Sequence, residues 1–221
     1  MIWLPWRALS VMFSHPKVLA LAFFPGALTF AASVGAVYAV WQYWLSTASL
    51  LIAIPTMMLT FLLSWLFVGN LSLIPVEDLL IDECQRRVWG TVRLPARPFN
   101  AARFLRELVY SGLVTAAAVV FFVISFIPFF APANLLIAGW LTSYGFLAPL
   151  YERKQAGRTE GRIALFFEHA PGNLILGMSL NVLLFVPVVN VFLLGYAQIL
   201  ATLVFLRREH ELSANPEIVR T

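Results

Sequence analysis

Read for polarity alone, the chain alternates between four stretches that hold every Lys, Arg, Asp and Glu and three blocks that hold none. The charged stretches are the N-terminus with Arg7 and Lys17, residues 77–107, residues 152–168, and the tail from Arg207. The charge-free blocks are 18–76, 108–151 and 169–206. They contain apolar runs longer than the roughly 18 residues that mark a membrane-crossing helix. A transmembrane β-barrel would instead need short alternating segments. The pattern predicts an all-α integral membrane protein forming a single domain over residues 1–221.

Basic residues concentrate in cytoplasmic loops, and each charged stretch carries them. Each apolar block is therefore expected to leave the cytoplasm and return as a hairpin, with both termini cytoplasmic. In the first block, residues 18–74 form the hairpin, turning at Ser46-Thr47-Ala48-Ser49. Its two helices of about 27 residues would each reach ~40 Å at 1.5 Å per residue, ample for a tilted crossing of a core about 30 Å thick. Trp41, Tyr43 and Trp44 before the turn form an aromatic belt. This hairpin spans.

The other two hairpins, 108–151 and 169–206, turn at FVISFIPFFAPANLL and NVLLFVPVVNVFLL. Pro128 and Pro132 break the first and Pro187 the second, because proline donates no helical hydrogen bond. These tips carry no charge and little polarity, unlike loops that emerge into water. The favoured expectation is two hemi-penetrating helical hairpins; the alternative is ordinary spans joined by unusually apolar turns. The tips also match each other in pattern, Phe126-Ile127-Pro128-Phe129-Phe130 against Phe185-Val186-Pro187-Val188-Val189, as structural repeats of transport proteins do. The remaining pieces read as an interfacial helix at 3–13 with Trp3, Trp6 and Arg7, rather than a cleavable signal, cytoplasmic segments at 75–107 and 152–168, and a cytoplasmic tail at 207–221.

Composition agrees. The 221 residues are 61% hydrophobic and 12% charged, where soluble domains hold about 25% charged residues. The net charge of +4 reports the cytoplasmic loops and gives no reason to expect a nucleic-acid partner. A single cysteine, Cys84, excludes an intramolecular disulfide and reads as a reduced thiol.

The stretch WLFVGNLSLIPVEDLLIDECQRRVWG, residues 65–90, resembles the CysZ family of bacterial inner-membrane sulfate transporters. There a long second spanning helix continues into a cytoplasmic helix; the matching residues here are Pro75, Leu79, Asp82 and Arg87. SHPKVLALAFFP at 14–25 looks like the family's entry to its first long helix, and PLYERK at 149–154 like its Pro-Leu-x-Arg region. Pro128 and Pro187 fall at the family's hairpin breaks. The resemblance covers roughly residues 8–210 and extends to the wider etoposide-induced membrane proteins. It implies two long spanning helices, two hemi-penetrating hairpins, a homo-oligomer in the inner membrane, and sulfate uptake for cysteine biosynthesis. Where family members carry two adjacent arginines this chain has Leu19 and Ala20, leaving Lys17 as the nearby cation. The family's Gly-Leu-Thr-Ser motif aligns with Gly177-Met178-Ser179-Leu180-Asn181, with Leu180 at the threonine position.

Candidate chemistry is sparse. In HAPGNLILGMSLN, Pro171 and Gly172 mark a turn before a helix expected to begin near Asn173. Backbone N–H groups at such a start bind anions. Gly177 permits close approach, and Ser179 and Asn181 add neutral donors; the competing reading is a helix start with Gly177 packed on a neighbour. Arg86, Arg87, Arg103 and Arg106 form a cytoplasmic mouth that draws anions or acidic lipid headgroups, or else a salt-bridged helix in which Asp82 meets Arg86 and Glu83 meets Arg87. Thr56, Thr60 and Ser64 share one helical face, lining a path or packing helices, with packing favoured.

An enzyme is not expected. His15, His169 and His210 lie apart, and no acid occurs in the apolar blocks, so neither a hydrolytic nor a metal centre assembles. There is no cofactor motif and no phosphate-cradling glycine loop. The sequence thus points to a channel-like permease for sulfate or a related oxyanion, working within the lipid bilayer, with a non-transporting scaffold of the same fold as the alternative.

Overall fold

The computed structural model describes residues 4–45, 49–90, 92, 94–95, 101–125, 131–154, 166–167, 169–184 and 187–214. Among the described residues seven α-helices carry the fold: α1 (Leu4–Phe13), α2 (Pro16–Val40), α3 (Leu50–Trp89), α4 (Ala101–Ser125), α5 (Ala131–Lys154), α6 (Ala170–Leu184) and α7 (Pro187–Ala214). No strand occurs among the described residues. The helix expected near Asn173 begins three residues earlier, at Ala170. Residues 46–48 of the first turn, and Pro128, lie outside the described residues.

Local chemistry sets the boundaries. Pro16 opens α2, where its missing N–H costs nothing and its fixed φ suits the helix. The last turn of α2 widens into a π-helical turn at Trp41–Leu45. Ser49 caps the start of α3 in an extended conformation. At the other end Gly90 adopts φ 73°, the left-handed geometry glycine favours, and its N–H returns to the Arg86 carbonyl. Arg86 and Arg87 sit in that last turn, where cations complement the helix dipole. Pro187 stands at the first position of α7, and Pro132 lies in the first turn of α5.

α3 runs unbroken for 40 residues through Pro55 and Pro75, so the spanning arm and the charged segment after residue 75 are one rod. At 1.5 Å per residue that rod is about 60 Å long, twice the hydrocarbon thickness. Two helical stretches, Pro16–Leu45 and Leu50–Val88, are long and apolar enough to cross a membrane. Their distal halves pack on each other and leave large apolar side chains outside: Leu51 is 88% exposed, Trp44 81%, and Ile52, Ile54 and Met58 are exposed too. Continuous apolar surface of this kind is expected against lipid and costly in water.

The core is built on α7. Residues 195–206 are buried on every face of the helix, as expected for a helix enclosed by others. α1 lays Leu4, Ala8 and Met12 against it, and the Tyr196 hydroxyl donates to the Pro5 carbonyl. On one side α7 meets α2 and α3. There Gly195 lies so close to Ala22 that a Cβ would stand 2.2 Å from the Ala22 Cα. On the other side it meets α5 and α6. α5 packs far more extensively on α6 than on α4, so its main pairing joins arms of different predicted hairpins.

Candidate anion site and the charged end of the bundle

The four charged stretches come together. Lys17 at the start of α2 pairs with Glu83 on α3 at 3.3 Å, and Arg87 pairs with the same carboxylate at 3.3 Å. Arg106 on α4 donates to Glu152 on α5 at 2.8 Å. Lys154 on α5 reaches Glu209 on α7 at 2.6 Å. Arg208 on α7 donates to Asn173 on α6 at 2.7 Å. These contacts join starts of α2, α4 and α6 to ends of α3, α5 and α7, so they define one end of the bundle.

Arg153 is the centre of this layer. Its side chain is 0% exposed. Nε and one terminal nitrogen donate to the Asp78 carboxylate at 3.0 and 2.7 Å, that nitrogen also to the Asp78 carbonyl at 2.9 Å, and the other terminal nitrogen to Asp82. The expected Glu83–Arg87 pair is present. Asp82 instead serves Arg153, and Arg86 is exposed at the helix surface. The physical reason is burial: a guanidinium sealed from water needs carboxylates more than a solvated one does.

This layer consumes much of the proposed cytoplasmic mouth. Arg106 is committed to Glu152 and lies 3.6 Å from Glu107; the Arg103 side chain lies outside the description. Lys17 faces Glu83 rather than α6. Beside the layer, a cavity of about 30 Å³ between α3, α4 and α5 has Glu77, Glu107, Tyr110 and Tyr144 on its walls. It has room for a water or two, and its carboxylates oppose an anion.

The residues from Asn173 to Asn181 separate along α6. Asn173 is buried and fully engaged: its amide donates to the Phe166 carbonyl at 2.8 Å and the Tyr151 hydroxyl at 3.3 Å, and its oxygen accepts from Arg208. Its backbone N–H bonds the His169 carbonyl. Trp140, Tyr144, Phe166 and Phe167 pack around this end, edge-on except for the tilted Trp140–Phe167 pair. Asn173 therefore ties α6 to α5 and α7. Ser179 is exposed and donates to the Ile175 carbonyl of its own helix.

Gly177 and Asn181, one turn apart, face α5. A Cβ on Gly177 would stand 1.8 Å from the Gly139 carbonyl oxygen, and a Cβ on Gly139 2.8 Å from the Met178 side chain. The two glycines let the backbones touch, the way small residues bring membrane helices together. One turn deeper, Thr142 donates to the Asn181 oxygen at 2.8 Å. The Asn181 nitrogen is buried and has no acceptor among the described residues. An orphaned buried amide costs about 1–3 kcal/mol unless something accepts from it. Its hydrogens are suited to a negatively charged oxygen, because neutral N–H donors need no counter-charge to bind an anion.

Other polar groups of the apolar blocks divide: the buried hydroxyls of Ser33 and Thr115 also lack a partner among the described residues, while several are satisfied within their own helix. Thr56 and Thr60 donate to carbonyls one turn back at 2.8 Å, and so does Asn70. Sequence reasoning missed the buried Thr29–Ser72 pair, whose hydroxyls lie 3.0 Å apart and share the Pro25 carbonyl. It missed Thr142 as well. The signal available was a Gly139 and a Thr142 on one helical face, one turn apart like Gly177 and Asn181.

No curated protein matches the chain. The family model described as Sulfate transporter CysZ/Etoposide-induced protein 2.4 matches residues 4–194, from the first helix into the central one. With most of its length covered, and with two helices long and apolar enough to cross a membrane, the chain belongs to that family.

Proposed function

We propose that this protein conducts sulfate or a closely related oxyanion across the bacterial inner membrane into the cytoplasm, supplying cysteine synthesis. In this reading α2 and α3 span the bilayer, while the α4–α5 and α6–α7 hairpins enter from the cytoplasmic side and turn back. The charged layer around Arg153 lies in the cytoplasm with both termini. The 15-residue α6 is about 22 Å long at 1.5 Å per residue, short of a 30 Å core. The chain works as a homo-oligomer, in which further copies cover part of the exposed apolar hairpin. It needs no cofactor and performs no covalent chemistry.

One observation carries the assignment to the α5–α6 seam: the buried Asn181 amide nitrogen that lacks an acceptor among the described residues. It lies in a charge-free helix of a sulfate-transporter family member, where a neutral donor can touch a passing anion without trapping it. Gly177 and Gly139 hold the seam closed beside it. Lys17, Arg86 and Arg87 act from the cytoplasmic side as a modest positive field that lipid headgroups share. Asn173 and Ser179 keep their α6 positions without touching the anion.

Reconstitution tests this directly. Radiolabelled sulfate should enter proteoliposomes above the protein-free background. Equality with that background would leave the protein a membrane scaffold.

A further inference from the structure

Asn181 poses a question of orientation. A carboxamide presents an acceptor on one side and two donors on the other, and an anion is repelled by the first as much as it is drawn to the second. Only a fixed amide makes a useful anion contact. Thr142, across the seam on α5, supplies a hydroxyl 2.8 Å from the Asn181 oxygen. The hydroxyl can donate there, and doing so ties up the acceptor. Asn181 is 92% buried by its 8% exposure, and its nitrogen is left without a partner among the described residues.

We propose that Thr142 is the positioning residue of the anion contact: its hydrogen bond to the Asn181 oxygen holds the carboxamide with its donors free. The inference rests on the proposed transport reading and adds a residue and a selectivity to it. With the oxygen held toward Thr142, the carboxamide turns its donors rather than its acceptor to the anion. Such a contact favours a fully deprotonated oxyanion such as sulfate over one that keeps a proton at neutral pH, such as hydrogen phosphate, whose O–H then finds no acceptor on the carboxamide. The Gly139–Gly177 crossing fixes the distance between the two side chains one turn away, so Thr142 can keep its grip only while the backbones touch.

The variants Thr142→Val, Thr142→Ser and Asn181→Leu, with the double variant Thr142→Val/Asn181→Leu, test this in proteoliposomes of matched protein content. Thr142→Val keeps shape and loses the hydroxyl; Thr142→Ser keeps the hydroxyl. Thr142→Val is expected to raise the half-saturating sulfate concentration about five- to tenfold, the worth of one hydrogen bond, with the maximal rate little changed. Inhibition of sulfate uptake by phosphate should strengthen in the same variant. Thr142→Ser should behave as wild type. In the Asn181→Leu background, Thr142→Val should add nothing, because its effect runs through Asn181.

Wild-type flux with an unchanged Thr142→Val would overturn the positioning role alone. Additive effects in the double variant would do the same, since they place Thr142 in ordinary packing. If Thr142→Val fails to fold, a Thr142→Ser variant with weakened saturation would count against the role, as the hydroxyl is retained. Wild-type protein without sulfate flux removes the transport reading and this proposal with it.

Discussion

Arg153 holds Asp78 by three hydrogen bonds, two to its carboxylate and one to its backbone carbonyl. The pair joins α5 to α3 across 75 residues of sequence. With Asp82 on the opposite edge of the guanidinium, the arginine has its charge balanced and its donors shared between two carboxylates one helical turn apart. Removing the arginine leaves both acids, each only about a fifth exposed, without their counter-charge. Arg153→Ala is expected to cost about 3–5 kcal/mol of stability, the scale for breaking a buried ion pair. Arg153→Met, which refills the volume, should still lower the thermal midpoint in detergent, and Arg153→Met combined with Asp78→Asn and Asp82→Asn should recover part of the loss. An Arg153→Ala midpoint equal to wild type would refute the central place given to this cluster.

The Lys17–Glu83 pair makes a contrast. Lys17 is 58% exposed at its side chain, so water screens the attraction and Glu83 keeps Arg87. Lys17→Ala should cost less than about 1 kcal/mol, the usual worth of a solvent-exposed pair. A comparable midpoint for Lys17→Ala and wild type is the expected result.

Glycines divide by surroundings. Gly177 and Gly195 face backbone at distances no Cβ tolerates, whereas a Cβ on Gly35 meets nothing within 4 Å. Gly177→Ala and Gly195→Ala should force α5–α6 and α2–α7 apart and cost about 1–3 kcal/mol, as overpacking does. Gly35→Ala should be neutral or stabilising by up to about 1 kcal/mol through helix propensity. Melting in one detergent ranks all three. A bulky Gly177 variant is therefore a poor probe of anion binding, because it would displace a helix.

The hairpins can be tested by cysteine labelling, since Cys84 is fully buried and gives a quiet background. Cysteines at Tyr43 and Leu51 should react with an impermeant maleimide from the periplasmic side. Cysteines at Phe129 and Val188 should resist it, and one at Arg86 should react only from the cytoplasm. Labelling from outside at both 129 and 188 would convert the two hairpins into full crossings.

Much of the scaffold was legible because it follows from one-dimensional pattern. The helices and the two long apolar ones among them follow the charge pattern, and the four charged stretches come together through the Lys17, Arg106 and Lys154 contacts. Spacing along one helix also gave the Glu83–Arg87 pair. What pattern could not give is which face meets which neighbour. Asp82 has Arg86 one turn away and chooses Arg153, 71 residues distant, because burial outweighs proximity. Asn173 and Asn181 look alike in sequence, and the fold satisfies one through Tyr151, Phe166 and Arg208 while leaving the other's nitrogen open. Pairing of α5 with α6 across different blocks depends on two glycines meeting, which no periodicity encodes.

The central claim is that Asn181 contacts the permeating anion. Sulfate uptake by proteoliposomes carrying Asn181→Leu, set against wild type and Ser179→Ala at equal reconstitution, tests it most directly. The account predicts uptake reduced at least about tenfold in Asn181→Leu, the loss of a donor to a charged group, and unchanged in Ser179→Ala. Wild-type uptake in a folded Asn181→Leu protein would contradict it.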